Sequence, residues 1–216
     1  MLISTPMAIG VAGVIVVWRL VAAGRVTIWV GQVALFGAAG LAALATGRVD
    51  LSPRVPWAWA LAAGAGAGIV LYLATVQFVV VVRRWPRFDR HVAMVYDQRR
   101  GLSLPAALLV AAAIVAPGEE LFWRGLFQGR LAQATAWVAA AGITWAAYIV
   151  ANAASASLPI VAAAVVCGLA WGALALWTHG VLASVMCHSL WTALMVAVPP
   201  GGGARHAVAP ANRPAP

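Results

Sequence analysis

The chain has 216 residues, of which 64% are hydrophobic and only 9% charged, with a mean hydropathy of +0.94. A soluble domain carries roughly 25% charged residues, so a soluble fold is excluded. The net charge of +9 comes entirely from Arg, with no Lys, and the arginines lie between apolar runs without forming a basic face. That spread argues against nucleic-acid binding and for loops at a membrane surface. At about 20 apolar residues per crossing, the sequence predicts an all-α, polytopic transmembrane helical bundle of about seven spans.

The start, Met1 to Pro6, lacks a basic region and a cleavage-like site, so the first apolar run is read as a retained span. Met7 to Ala23 and Val26 to Thr46 are the first two expected spans, separated by Gly24 and Arg25. Gly47 to Pro56 reads as a loop. Trp57 to Val82 is a third span, with Trp57 and Trp59 suited to an interface and Gly64, Gly66 and Gly68 allowing close helix approach. Arg83 to Gly101 holds six arginines and two aspartates. It reads as a cytoplasmic loop, with a peripheral helix on anionic lipid as the alternative.

Leu102 to Pro117 is read as a fourth span, followed by Gly118 and an amphipathic stretch through Ala132. Ala134 to Ala151, Leu158 to Trp177 and Val181 to Val198 complete the set. Residues 1–101 thus form an N-terminal part, 102–198 a core, and 199–216 a Gly-, Pro- and Ala-rich tail expected to be disordered. Cys167 and Cys187 fall inside apolar helices and read as buried free thiols.

The only glutamates are adjacent, Glu119 and Glu120, and are expected at the membrane end of the fourth span. An ionisable group at membrane depth costs several kcal/mol, which marks the pair as functional. Neighbours on a helix point about 100° apart, whereas Glu120 and Arg124 share a face and can pair. Glu119 is then free to face a cavity as a general base; alternatively the pair is a structural clasp and Glu119 lies at the headgroups. His188, in the last span, is either a helix–helix hydrogen-bond partner or part of a polar pocket that Thr192, four residues on, helps to hold. Asn152 is either a helix-terminal residue or a pocket residue. His91, His179 and His206 sit in polar or turn segments and need no role.

In this order and spacing, these pieces resemble the CPBP family of intramembrane proteases, which includes type II CAAX prenyl endopeptidases and bacteriocin-processing proteins. Glu119, Glu120, Arg124 and Gly125 match the family's Glu-Glu-x-x-x-Arg motif, and the Gly168–Gly172 span, the Thr178–Gly180 turn and His188 look like its last motif. Two positions depart. Asn152 stands four residues after Tyr148 where a His is expected, and Thr192 where Asn or Asp is expected. The resemblance implies a membrane-embedded endopeptidase of a bacterial plasma membrane, acting on a membrane protein or peptide within the lipid bilayer. Glu119 would activate water, with Glu120 and Arg124 fixing the helix, His188 and Asn152 stabilising the oxyanion, and Thr192 orienting His188. The family allows zinc, but Asn is a poor ligand for such a metal, so no metal or other cofactor is expected. The departures leave a second reading open, a catalytically silent relative that binds or protects a membrane partner. A transporter is disfavoured because no paired halves with broken helices are visible.

Overall fold

The computed structural model describes residues 5–46, 49, 51, 53–99 and 101–200. The expected tail from 201, with His206, lies outside the described residues, as do Arg48, Asp50 and Arg100. The described chain forms eight helices and no strand. They are α1 (Thr5–Ala22), α2 (Ile28–Ala45), α3 (Trp57–Val82), α4 (Pro86–Asp97), α5 (Leu104–Ala132), α6 (Trp137–Ala153), α7 (Leu158–Thr178) and α8 (Leu182–Ala197). Helices α1, α2, α3, α5 and α7 are long and apolar enough to cross a membrane, and α6 and α8 are shorter apolar helices. The chain is an integral membrane helical bundle.

The spans pack through small residues. Gly64 and Gly68 of α3 meet α8, where a Cβ on Gly68 would lie 2.9 Å from the Cys187 carbonyl oxygen. Lipid tails are as apolar as Leu, so such close backbone approach, rather than a hydrophobic drive, joins spans. Gly66, between them, faces open space. The lipid-facing side of α3 carries Trp57 and Trp59, both well exposed.

Two expectations are corrected. First, Leu102 to Pro117 is not a separate span: α5 runs unbroken through Pro117 and Gly118 to Ala132. Glu119 and Glu120 therefore lie in mid-helix and not at a membrane end. Pro117 removes a donor and its ring would crowd the preceding carbonyls of a regular helix. The backbone answers with wide π-helical turns over Leu109–Val115, and again over Leu121–Gln128 just beyond the glutamates. Such turns often mark functional sites within helices. Gly118 lets α5 press against α2, since a Cβ on Gly40 of α2 would lie 2.8 Å from the Gly118 Cα.

Second, the Arg-rich stretch is not a bare loop. Pro86–Asp97 is an amphipathic helix with Pro at its first turn, burying Phe88 and Val92 against Val79. Arg83 pairs with Asp89 at 2.6 Å. His91, to which no role was given, accepts a 3.1 Å hydrogen bond at Nδ1 from the Leu158 N–H, holding the start of α7.

Candidate active site

The mid-helix position of Glu119 and Glu120 is made tolerable by neighbours on three other helices. Glu120 is fully buried. Its Oε1 accepts from Arg124 Nη1 at 3.0 Å, one helical turn on, and lies 2.9 Å from His188 Nδ1 of α8. Arg124 is itself 3% exposed and donates from Nη2 to the Gly168 carbonyl of α7 at 3.0 Å. Its guanidinium lies over the rings of Tyr148 and Trp171, 4.8 and 5.4 Å from their centroids. A desolvated Arg between two aromatic faces gains cation–π attraction as well as its ion pair. Gly168 is needed here because a Cβ would meet the Tyr148 ring at 2.8 Å.

Glu119 points elsewhere, as adjacent helical positions require. Its Oε1 accepts from the Tyr148 hydroxyl of α6 at 2.9 Å, and its Oε2 lies 3.9 Å from His188 Nε2. His188 thus bridges the two glutamates, one ring nitrogen toward each. The Nδ1 contact with the Glu120 carboxylate is served by a proton on Nδ1. The other contact is too long for a direct hydrogen bond, and at this separation a single water set off the line between the groups could bond to both. The imidazole lies flat on Trp171, with centroids 3.6 Å apart and planes at 15°. The result is a buried chain Tyr148–Glu119–His188–Glu120–Arg124 drawn from α5, α6 and α8 and closed by α7.

Asn152 is also buried, in the last turn of α6, one turn beyond Tyr148. Its amide is committed: Oδ1 accepts from Trp18 Nε1 of α1 at 3.0 Å, and Nδ2 donates to the Tyr148 carbonyl at 2.9 Å. Thr192 lies one turn from His188 on α8, but its buried Oγ1 has no hydrogen-bond partner among the described residues. His179 is the left-handed end residue of α7 and stands edge-on to Trp137.

Three participants escaped the sequence reading. Trp171 and Trp18 are tryptophans in apolar runs with nothing local to separate them from lipid-facing ones. Tyr148 was noticed only as an aromatic; its hydroxyl in an otherwise apolar span was the available signal, because a buried phenol O–H seeks a partner.

A cleft of about 260 Å³ opens beside the later turns of α5 and α7, lined by Arg124, Gln133, Trp137 and His179 among others. Among the described residues no three His, Cys, Asp or Glu side chains gather as a metal-ligand group.

No curated protein and no solved structure matches the chain. A family model does match over residues 101–194, the segment that carries Glu119, Tyr148 and His188. The matching model is that of the family described as type II CAAX prenyl endopeptidase Rce1-like, and the match is consistent with a CPBP family protease and, at family level, with a membrane CAAX-type endopeptidase.

Proposed function

We propose that the protein is a membrane-embedded endopeptidase in which Glu119 activates water against a peptide bond of a membrane-associated substrate. The observation that carries this reading is the 3.9 Å gap between Glu119 Oε2 and His188 Nε2, in a chain whose three other links are direct contacts of 2.9, 2.9 and 3.0 Å. This route takes His188 with a proton on each ring nitrogen, so that its Nδ1–H serves Glu120 while its Nε2–H remains for the substrate.

The reaction follows from these positions. A water in the gap gives its proton to Glu119 while its oxygen bonds to the scissile carbonyl carbon. The carbonyl electron pair moves onto oxygen, where the His188 Nε2–H donates to it. Collapse of this intermediate breaks the C–N bond, and the proton held by Glu119 passes to the departing amine. Tyr148 holds Glu119 Oε1 and leaves Oε2 for the water. Glu120 fixes the ring orientation of His188, and Arg124 fixes Glu120. Asn152 acts here as a positioning residue, tying the Tyr148 turn to Trp18. Zinc would require three or four good ligands. Glu120 is already engaged twice and Asn152 is turned to Trp18, so the donors present do not fit the ion and the route is metal-free.

The test is cleavage of membrane peptides, prenylated and unmodified, by protein reconstituted in lipid discs. Glu119→Gln should lower cleavage by at least about 10²-fold, the upper reach of one lost general base being about 10⁴-fold. Equal rates would overturn the assignment. Binding without cleavage in both proteins would instead identify a silent relative, a reading favoured by Thr192 and Asn152 at the two departing positions.

A further inference from the structure

A second cavity lies away from the polar chain, at the bundle end where α3 and α8 finish and α7 begins. Its volume is about 340 Å³, and its lining is almost wholly apolar. It is walled by α3 from Leu71 to Val79, by Ile160, Ala162 and Val166 of α7, by Met195 of α8, and by Phe88 and Val92 of α4. It reaches about 12 Å along α3, from Leu71 to Val79, at 1.5 Å per residue. Helix α4 closes its outer mouth. The same helix and the turn before it carry a strong positive charge on the side away from Phe88 and Val92. Arg84, Arg87 and Arg90 are exposed, and among the described residues none of the three meets a carboxylate. Asp89, the acid among them, is taken by Arg83.

A long apolar slot beneath three unpaired arginines at a bundle end has the two halves of a phospholipid site. We infer that the protein binds one anionic phospholipid here, its phosphate on Arg84, Arg87 and Arg90 and one acyl chain in the cavity under α4. A zwitterionic lipid satisfies the slot but not the arginines, and a soluble phosphate satisfies the arginines but not the slot. Clustered arginines beside a span bind acidic headgroups, and an apolar cavity of this size suits a single chain. The inner wall links the site to the rest of the molecule. Trp191, which lines the cavity and donates to Thr75 Oγ1 at 3.1 Å, stands edge-on to Trp171, the ring that supports His188. An acyl chain against Trp191 therefore braces the ring stack beneath His188. This coupling rests on the proposed function, whereas the binding itself does not.

Binding is read by native mass spectrometry of the detergent-purified full chain titrated with phosphatidylglycerol or phosphatidylcholine. One phosphatidylglycerol per chain should be retained. The triple variant Arg84→Gln, Arg87→Gln, Arg90→Gln, all at exposed positions, should bind it roughly 100-fold more weakly, each arginine being worth several-fold at an anionic headgroup. Ala162→Phe, which fills the slot, should also lose the lipid while leaving the arginines intact. Equal retention of the two lipids, or unchanged binding in the triple variant, would overturn the proposal. Loss in the triple variant with full binding in Ala162→Phe would reduce it to surface attraction and overturn the cavity's role. Crosslinking of a membrane peptide substrate from position 162, with no displacement by phosphatidylglycerol, would assign the slot to substrate instead. None of these readouts needs cleavage, so failure of the peptidase assignment leaves them interpretable.

Discussion

The imidazole of His188 and the indole of Trp171 are stacked, 3.6 Å between centroids and 15° from parallel. The hydrogen bond from Nδ1 to Glu120 fixes one direction of the ring, and the indole fixes its plane. Nε2 is thereby aimed at Glu119. Misplacing a reacting group by about 1 Å costs on the order of 10²-fold in rate. Trp171→Leu should therefore lower kcat by about 10–100-fold with KM nearly unchanged, while Trp171→Phe keeps most of the activity. A Trp171→Leu enzyme with wild-type kcat would remove the stack from the mechanism.

Tyr148→Phe takes away a single oxygen. The ring stays under Arg124 and edge-on to Trp123, so the fold should be little changed. What is lost is the 2.9 Å hydrogen bond that orients Glu119. The expected outcome is a kcat lowered by about 10-fold or more, within the range for groups that assist proton transfer, with a thermal midpoint close to wild type. A large fall in thermal stability with normal turnover per folded molecule would make Tyr148 structural only.

How the sequence bears on these residues differs from one to the next. Charge in an apolar span is conspicuous, and so Glu119, Glu120, Arg124 and His188 stand out in the sequence itself. Their pairing at one helical turn, Glu120 with Arg124, follows from helix geometry alone and is found at 3.0 Å. The continuity of α5 was hidden because Pro117-Gly118 is a common stop signal, and here it is a regular helical turn between two wide ones and a contact with α2 instead. Helix α4 was legible only as the alternative to a loop, because the charge of its arginines masks the Phe88 and Val92 spacing that buries one face. Trp18 reaching Asn152 is a contact over 134 positions, which no local pattern encodes.

Arg124→Ala should be the most damaging substitution in the core. It strips Glu120 of a buried partner, frees the Gly168 carbonyl and removes a cation from between two rings. Breaking one side of a buried pair costs about 3–5 kcal/mol. The readout is the midpoint of thermal unfolding in detergent, together with yield. Arg124→Lys, which keeps the charge but cannot fork to both acceptors, should fall between the two. Wild-type stability in Arg124→Ala would show that the pair does not clasp α5 to α7.

The glycines provide an internal control for helix approach. Gly118→Ala must push α5 off the Phe36 backbone of α2, and overpacking of this kind costs about 1–3 kcal/mol. Gly66→Ala meets nothing within 4 Å and should leave the unfolding midpoint unchanged. Similar behaviour of the two variants would mean that the α2–α5 contact does not set the position of Glu119.

The metal question turns on how many donors remain once the hydrogen bonds are assigned. Glu119 Oε2 and His188 Nε2 face each other, and both have capacity for a further partner. Glu120 Oε1 is shared between Arg124 and His188. A cation entering this cluster would also meet the fixed positive charge of Arg124. Two ligands beside a guanidinium are too few to hold zinc, which takes three or four in protein sites. Detergent-purified protein should therefore carry far less than one zinc per chain by elemental analysis, and cleavage should persist in EDTA and phenanthroline. Asn152→His is the complementary variant, since it restores the residue that the resembled family places there. While Trp18 Nε1 and the Tyr148 carbonyl hold this side chain, the variant should gain no zinc. Adding Trp18→Phe to it should free the new imidazole and raise zinc affinity if position 152 can reach the Glu119–His188 gap. One zinc per wild-type chain, lost together with activity on His188→Ala, would refute the metal-free route and make Glu119 a ligand rather than a base.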